Sequence, residues 1–200
     1  MFQLNFRSIM KKIFLTLFVF IFFLFLISQE KINLLPVDGV IPMNNRDYTP
    51  TLIKLFNNAQ KTIHAVIYQV GYYPDYPEGE PTELQNSLID AVKRGVKVVL
   101  IVDQSSWNPS LSVKNNEYAQ YMRKFGVEVY FDMPDITTHA KFIVIDSSIT
   151  VVGSTNWSFY ALAKNDECAV ALKSKDISLK YEDFFEKIYE FRSDTLTITP

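Results

Sequence analysis

The apolar positions of this 200-residue chain fall into distinct patterns. Residues 13–27, IFLTLFVFIFFLFLI, are uncharged and apolar throughout except for Thr16, with Lys11 and Lys12 leading them. As a helix, fifteen residues rise about 22 Å, against a hydrocarbon core of about 30 Å. The run is short for a span, but its length and basic flank suit a targeting segment. Two forms stay open: an uncleaved signal anchor, or a secretory signal whose best cleavage pair, Leu26 and Ser28, is poor. A buried core helix is the plain structural alternative, and adjacent lysines beside unbroken Phe and Leu weigh against it. The basic end is expected to stay cytoplasmic, so the rest of the chain is expected across the membrane, anchored or secreted to the periplasm of a bacterium.

Beyond residue 30 the pattern changes. Residues 31–47 carry Pro36, Gly39 and Pro42 and read as a linker, which gives a targeting segment at 1–30 and a folded domain at 48–200. Pro50 opens a helical spacing through Leu52, Leu55, Phe56 and Ala59. TIHAVIYQV (62–70) is β-branched and apolar, as a buried strand is. Thr82 with Gln85 resembles a capping box, and the helix it opens closes at Gly95. KVVLIVD (97–103) is a second buried strand. A helix is expected over 115–125 and a strand over 127–131. Strand, helix, strand, helix, strand predicts crossovers with parallel members. KFIVID (141–146) and ITVVGS (149–154) form a hairpin, a strand follows at 167–173, and an amphipathic helix closes the chain at 175–192. The expected class is α/β, a mixed, largely parallel sheet flanked by helices and preceded by an N-terminal hydrophobic helix.

Composition narrows the chemistry. With 48% hydrophobic and 21% charged residues the chain can build a core and is not a disordered one. Arg7, Lys11 and Lys12 precede residue 29, so the remainder carries 17 basic against 22 acidic residues, a net −5. A strongly basic nucleic-acid binder is excluded on bulk charge, though a local positive groove is not. Cys168 is the single cysteine, which rules out an intramolecular disulfide and a cysteine-rich zinc site.

The informative stretch is HAKFIVIDSSITVVGSTNWS, residues 139–158. His139 and Lys141 lie two apart at the start of a strand, so their side chains leave the same face. An imidazole is a nucleophile near neutral pH and an ammonium stabilises charge on non-bridging oxygens, so the pair suits a phosphodiester. Asp146 falls on the other face, roughly 16 Å along the strand, and is expected to be structural. Gly153 permits a tight backbone, and Ser154 and Asn156 supply hydroxyl and amide donors that can share the anion with Lys141. Tyr72, Tyr73, Tyr76 and Trp107, in loops after the first two strands, are candidates for stacking on bases, for a lipid interface, or for plain rim packing. Trp157 reads as core.

The spacing H-x-K-x4-D-x6-G-S-x-N, met by His139, Lys141, Asp146, Gly153, Ser154 and Asn156, resembles the signature of the phospholipase D superfamily. The likeness extends over roughly 48–192, through TIHAVIYQV, AVKRGVKVVLIVD and the acidic stretch Asn165-Asp166-Glu167. It implies a phosphodiester hydrolase working through a covalent phosphohistidine on phospholipid or nucleic acid, with no metal and no cofactor. By position, His139 is the nucleophile or its symmetry-related acid/base, Lys141 and Asn156 are phosphate ligands, Ser154 is an accessory donor, and Glu167 is the carboxylate orienting His139. The mechanism needs two histidines and the signature occurs once. His64 sits near the start of its strand, roughly 20 Å from the end where open α/β sheets gather their sites, and is expected to be structural. The second imidazole is therefore expected from another copy of the chain, in a twofold dimer with the site at its interface. The alternative of another class is a catalytically silent, membrane-tethered module that binds phosphate ligands; intact His139, Lys141 and Asn156 argue against it.

Overall fold

The computed structural model describes residues 3–27 and 32–198. Two compact units divide the chain, one up to Leu34 and one from Leu35 onward. The first contains helix α1 (Gln3–Ile27). Among the described residues no helix is long and apolar enough to cross a membrane. Ser28 of the expected cleavage pair lies outside the described residues.

The second unit is built on seven strands: β1 (Gly39–Pro42), β2 (Thr62–Ile67), β3 (Lys97–Val102), β4 (Glu128–Phe131), β5 (Lys141–Ile145), β6 (Ile149–Gly153) and β7 (Ala169–Lys173). They form one sheet in the order β1-β7-β6-β5-β2-β3-β4. The helices are α2 (Tyr48–Asn58), α3 (Glu80–Lys93), α4 (Pro109–Arg123), α5 (Phe159–Ala163) and α6 (Lys175–Glu190). β2, β3 and β4 pair in parallel through the α3 and α4 crossovers, as the alternation predicts. Elsewhere the expectation of a largely parallel sheet fails, because β2–β5, β5–β6, β6–β7 and β7–β1 are all antiparallel. Connection length accounts for the β5–β6 pair. Parallel neighbours need a crossover of a dozen or more residues, whereas β5 and β6 are joined by a tight turn. That turn is centred on Asp146 and Ser147, both at positive φ, a conformation Asp tolerates.

The alternation of side chains feeds two cores. Ile63, Ala65 and Ile67 of β2, with Val98, Leu100 and Val102 of β3, join Leu52, Phe56, Leu84, Leu88, Tyr118 and Met122 from α2, α3 and α4. Val66, Val99, Ile101, Phe142 and Val144 point to the other face, where Phe185 of α6 covers them. With both faces covered, the central strands read as continuous apolar runs.

Three local expectations are corrected. Residues 39–42 are not linker but the edge strand β1, in register with β7 from Gly39↔Lys173 to Pro42↔Val170. Gly and Pro read as breakers, yet an edge strand needs donors on one side only and tolerates them. Helix α3 starts at Glu80 behind Gly79, with Pro81 in its first turn, so Thr82 and Gln85 form no capping box. Instead Thr82 Oγ1 donates to the Tyr76 carbonyl and Gln85 Nε2 to the Gly71 carbonyl. Helix α4 starts six residues earlier than expected because Asn108 caps it, accepting from the Leu111 amide, and Pro109 follows.

Candidate active site

The parallel strands β2, β3 and β4 end together, and antiparallel β5 begins beside them, with Ile67 opposite Lys141. The carboxyl end of β6 lies beside the start of β7, with Gly153 opposite Ala169. One end of the sheet thus gathers Tyr68, Asp103, Asp132, His139, Lys141 and Ser154.

His139 is exposed, while Lys141 is only 8% exposed. The Lys141 ammonium lies 3.2 Å from His139 Nδ1 and donates to the His139 carbonyl at 2.7 Å. Tyr68 is their shared floor: its ring centre is 4.5 Å from that of His139 and 4.9 Å from Lys141 Nζ. Burial lowers the Lys141 pKa, and the charges of Glu167 and Asp103 pull it back up. A partly desolvated ammonium of this kind gains from a phosphate oxygen, whose charge would complete its surroundings.

Gly153 is required by close approach, since a Cβ there would lie 2.3 Å from the Cys168 carbonyl oxygen. That approach lets the Ser154 amide donate to the same oxygen at 2.9 Å. The Ser154 hydroxyl donates to Glu167, whose other oxygen accepts from Asn165 Nδ2 at 3.0 Å. Glu167 therefore holds Ser154 rather than His139 in the protomer, a correction to its expected role. It arises because the β6–β7 pairing brings residues 154 and 167 side by side at the sheet end. Asn156 keeps its Oδ1 buried without a hydrogen-bond partner. It lines a groove of about 530 Å³ with Gln69, Tyr73, Tyr76, Lys114 and Asn165. The Trp157 amide donates to the Gln69 carbonyl at 2.9 Å, which ties Asn156 to the residue after Tyr68.

Asp146 stands at the opposite end of the sheet. Its carboxylate accepts from the amides of Gln60 at 2.9 Å, Lys61 at 2.7 Å and Thr62 at 2.9 Å. Burial pushes its pKa up, and those three donors together outweigh burial and hold it below the usual range. His64 is likewise remote, with Nδ1 at 2.7 Å from Glu182 of α6 and its ring stacked on Phe185 at 4.6 Å. Of the aromatic loop residues, Tyr72 packs on Tyr121, Tyr73 and Tyr76 line the groove, and Trp107 is 63% exposed with Nε1 donating to Thr137 Oγ1 at 2.7 Å. Trp157 is core.

Several supporting residues escaped the sequence reading. Asn115 is fully buried and clamps the strand ends, accepting from the Val70 amide and donating to the carbonyls of Tyr68 and Asp103. Asn45 and Arg46, in the stretch expected to be linker, hold the acidic segment. Asn45 exchanges backbone and side-chain hydrogen bonds with Glu167 and Asp166, and Arg46 donates to the Asn165 carbonyl. Only the register of β1 against β7 could have signalled them. Among the described residues no group of three or more His, Cys, Asp or Glu side chains is arranged to hold a metal ion.

Comparison with known proteins decides the family. Residues 52–189, well over half of the chain, match the family model described as cardiolipin synthase, PLD-like domain. The chain belongs to this phospholipase D superfamily. It is 28% identical over 98 residues to mitochondrial cardiolipin hydrolase of Canis lupus familiaris, covering 49% of this chain and 37% of the relative. It is 28% identical over 124 residues to cardiolipin synthase A of Buchnera aphidicola, covering 56% of this chain and 24% of the relative. The matched region thus spans well under half the length of these curated relatives. Among solved structures, the phospholipase D family member Nuc of Salmonella typhimurium superposes with a TM-score of 0.67 at 18% identity, over 80% of this chain and 99% of that one. NucT of Helicobacter pylori gives 0.63 at 20% identity, over 77% and 97%. At these identities the superpositions establish the family's α/β fold.

Proposed function

We propose that the chain is a phosphodiester hydrolase that forms a covalent phosphohistidine at His139, acting on phospholipid or nucleic acid without a metal. The observation that carries this reading is the contact between the exposed His139 imidazole and the Lys141 ammonium, 3.2 Å apart at the carboxyl end of the parallel strands. In the resting arrangement the ammonium donates to Nδ1, which leaves the ring proton on Nε2. Bound phosphate takes the ammonium's hydrogen bond, so the ring can present an unprotonated nitrogen to phosphorus. A bond from that nitrogen to phosphorus forms as the bond to the leaving oxygen breaks, with Lys141 and the Asn156 amide bearing charge on the non-bridging oxygens. A second imidazole gives its proton to the leaving oxygen. It then takes one from water as water attacks phosphorus and the phosphorus–nitrogen bond breaks.

His64 is engaged with Glu182 at the far end of the sheet, so the second imidazole is assigned to His139 of another copy in a twofold dimer. The run at 13–27 supports delivery of the domain across a membrane, either tethered or released. The groove beside Asn156 offers Tyr73, Tyr76 and Lys114 to the remainder of the substrate.

The test is turnover of a chromogenic phosphodiester in EDTA, followed by single-stranded DNA, RNA, phosphatidylcholine and cardiolipin in parallel, with the mass in solution measured alongside. Sustained turnover by a dimer is the expected result. Loss of turnover on chelation would reject the metal-free mechanism, and an active monomer would reject the shared site.

A further inference from the structure

Two acids that the mechanism does not use lie directly behind His139. Asp103 follows β3 and Asp132 follows β4, and the register pairs Val102 with Phe131, so the two carboxyl groups emerge side by side. They are 1% and 2% exposed. The Thr138 amide donates to both, to Asp103 Oδ1 at 2.9 Å and to Asp132 Oδ2 at 3.2 Å. Ser105 Oγ donates to the second oxygen of Asp103 at 2.5 Å, and the Gln104 amide donates to Asp132 Oδ1 at 2.8 Å. Thr137 is held from outside by Trp107 Nε1. The segment joining β4 to β5 is therefore fixed at residues 137 and 138, immediately before the histidine.

We propose that Asp103 and Asp132 are positioning residues for His139: from two strands their carboxyl groups close on the Thr138 amide, and the next residue is the nucleophile. The inference rests on the phosphodiesterase reading above for its catalytic consequence, though not for its geometry. Two acids buried side by side are a poor way to stabilise a fold. They repel when both are charged, and apolar or amide groups of the same size would pack there at lower cost. Here the pair gives direction. An amide shared by two carboxyl groups fixes the backbone at residue 138 more tightly than a single acceptor. A displacement of about 1 Å at a reacting group can cost on the order of a hundredfold in rate. Burial pushes both acids up, Asp132 to about 7, and the charge of Asp103 adds to the rise at Asp132.

The experiment follows the imidazole resonances of the full chain by NMR, where His64 serves as an internal control, together with kcat and KM for the chromogenic phosphodiester. Asp132→Ala removes one acceptor. Thr138→Pro removes the shared donor and leaves both acids in place, so it decides the matter even where Asp132→Ala fails to fold. Both variants are expected to move the His139 resonances toward those of an unstructured histidine while His64 stays fixed. Both should lower kcat by roughly 30- to 100-fold with KM little changed. Asp132→Asn keeps one acceptor oxygen in place of two, and with that oxygen on the Thr138 amide it should restore the resonances and most of the turnover. Folded variants with parental His139 resonances and parental kcat would overturn the proposal. If the parent shows no turnover while both variants still displace the His139 resonances alone, the positioning stands and the phosphodiesterase reading falls.

Discussion

The two ends of the central sheet use carboxylates in opposite ways. At the amino end of β2, Asp146 receives three backbone amides, and its pKa is held down. At the carboxyl ends of β3 and β4, Asp103 and Asp132 face each other over one shared amide, and both are held up. The first end is saturated and static. The second keeps two acids side by side, an ammonium whose pKa burial lowers and an asparagine oxygen with no partner. Perturbed and unpartnered groups beside an exposed imidazole are what supports placing the proposed ligand site at this end. The two histidines divide in the same way: His64 is stacked and paired, and His139 is exposed on its loop.

The largest effect expected from this contrast is on turnover. His139→Asn should reduce it by at least about 10³-fold, as loss of a nucleophile does, whereas His64→Asn should leave it within a few-fold of the parent. A His64 variant that is folded yet inactive would erase the distinction between the ends and remove the main support for a shared dimer site. Next comes stability at the static end. Asp146→Ala strands three amide donors and places alanine at φ +52, so unfolding free energy should fall by about 2–3 kcal/mol. Asp146→Asn, which tolerates that φ and keeps an acceptor, should lose less. Chemical denaturation measures both, and equal losses would contradict the assigned role.

The smallest effect is on the pH dependence of stability, and its sign differs between the ends. Asp146, with its pKa lowered, contributes stability above the normal carboxyl range that is lost as pH falls through its folded value. Asp132, with its pKa raised, is the reverse. From an unfolded value of about 4 to a folded value of about 7 the native state holds the extra proton, so stability from this site is lost as pH rises across that window. Around the pair stand His139 and Lys141, whose charges reach Asp103, and Lys187 of α6, which shares a cavity with Asp132. Melting temperatures of Asp132→Asn should therefore rise relative to the parent between pH 4 and pH 7 and run parallel above it. A constant difference across that range would show that Asp132 does not carry the proton.

How far these features were legible in the sequence follows from how local they are. His139, Lys141, Gly153, Ser154 and Asn156 fall within 18 residues on one hairpin, so their spacing is enough to single them out as candidates for one site. The structural role of Asp146 followed from strand parity, and that of His64 from its place at the start of β2. Asp103 and Asp132 are 29 positions apart and meet only because β3 and β4 pair in parallel in one particular register. Likewise, β1 and its Asn45 latch depend on pairing with a strand some 130 residues away, which no local pattern encodes. Glu167 was found by position but not by partner. Its side chain turns to Ser154, a choice set by the β6–β7 register rather than by the residues beside it.

The most direct measurement is acid-quenched mass spectrometry of the protein incubated with a phosphodiester, with fragmentation of the peptide that contains residue 139. A phosphoryl adduct on the His139 imidazole, absent from His139→Asn and unchanged in His64→Asn, is the predicted result. An adduct on any other side chain, or full turnover with no adduct on the histidine, would contradict the account.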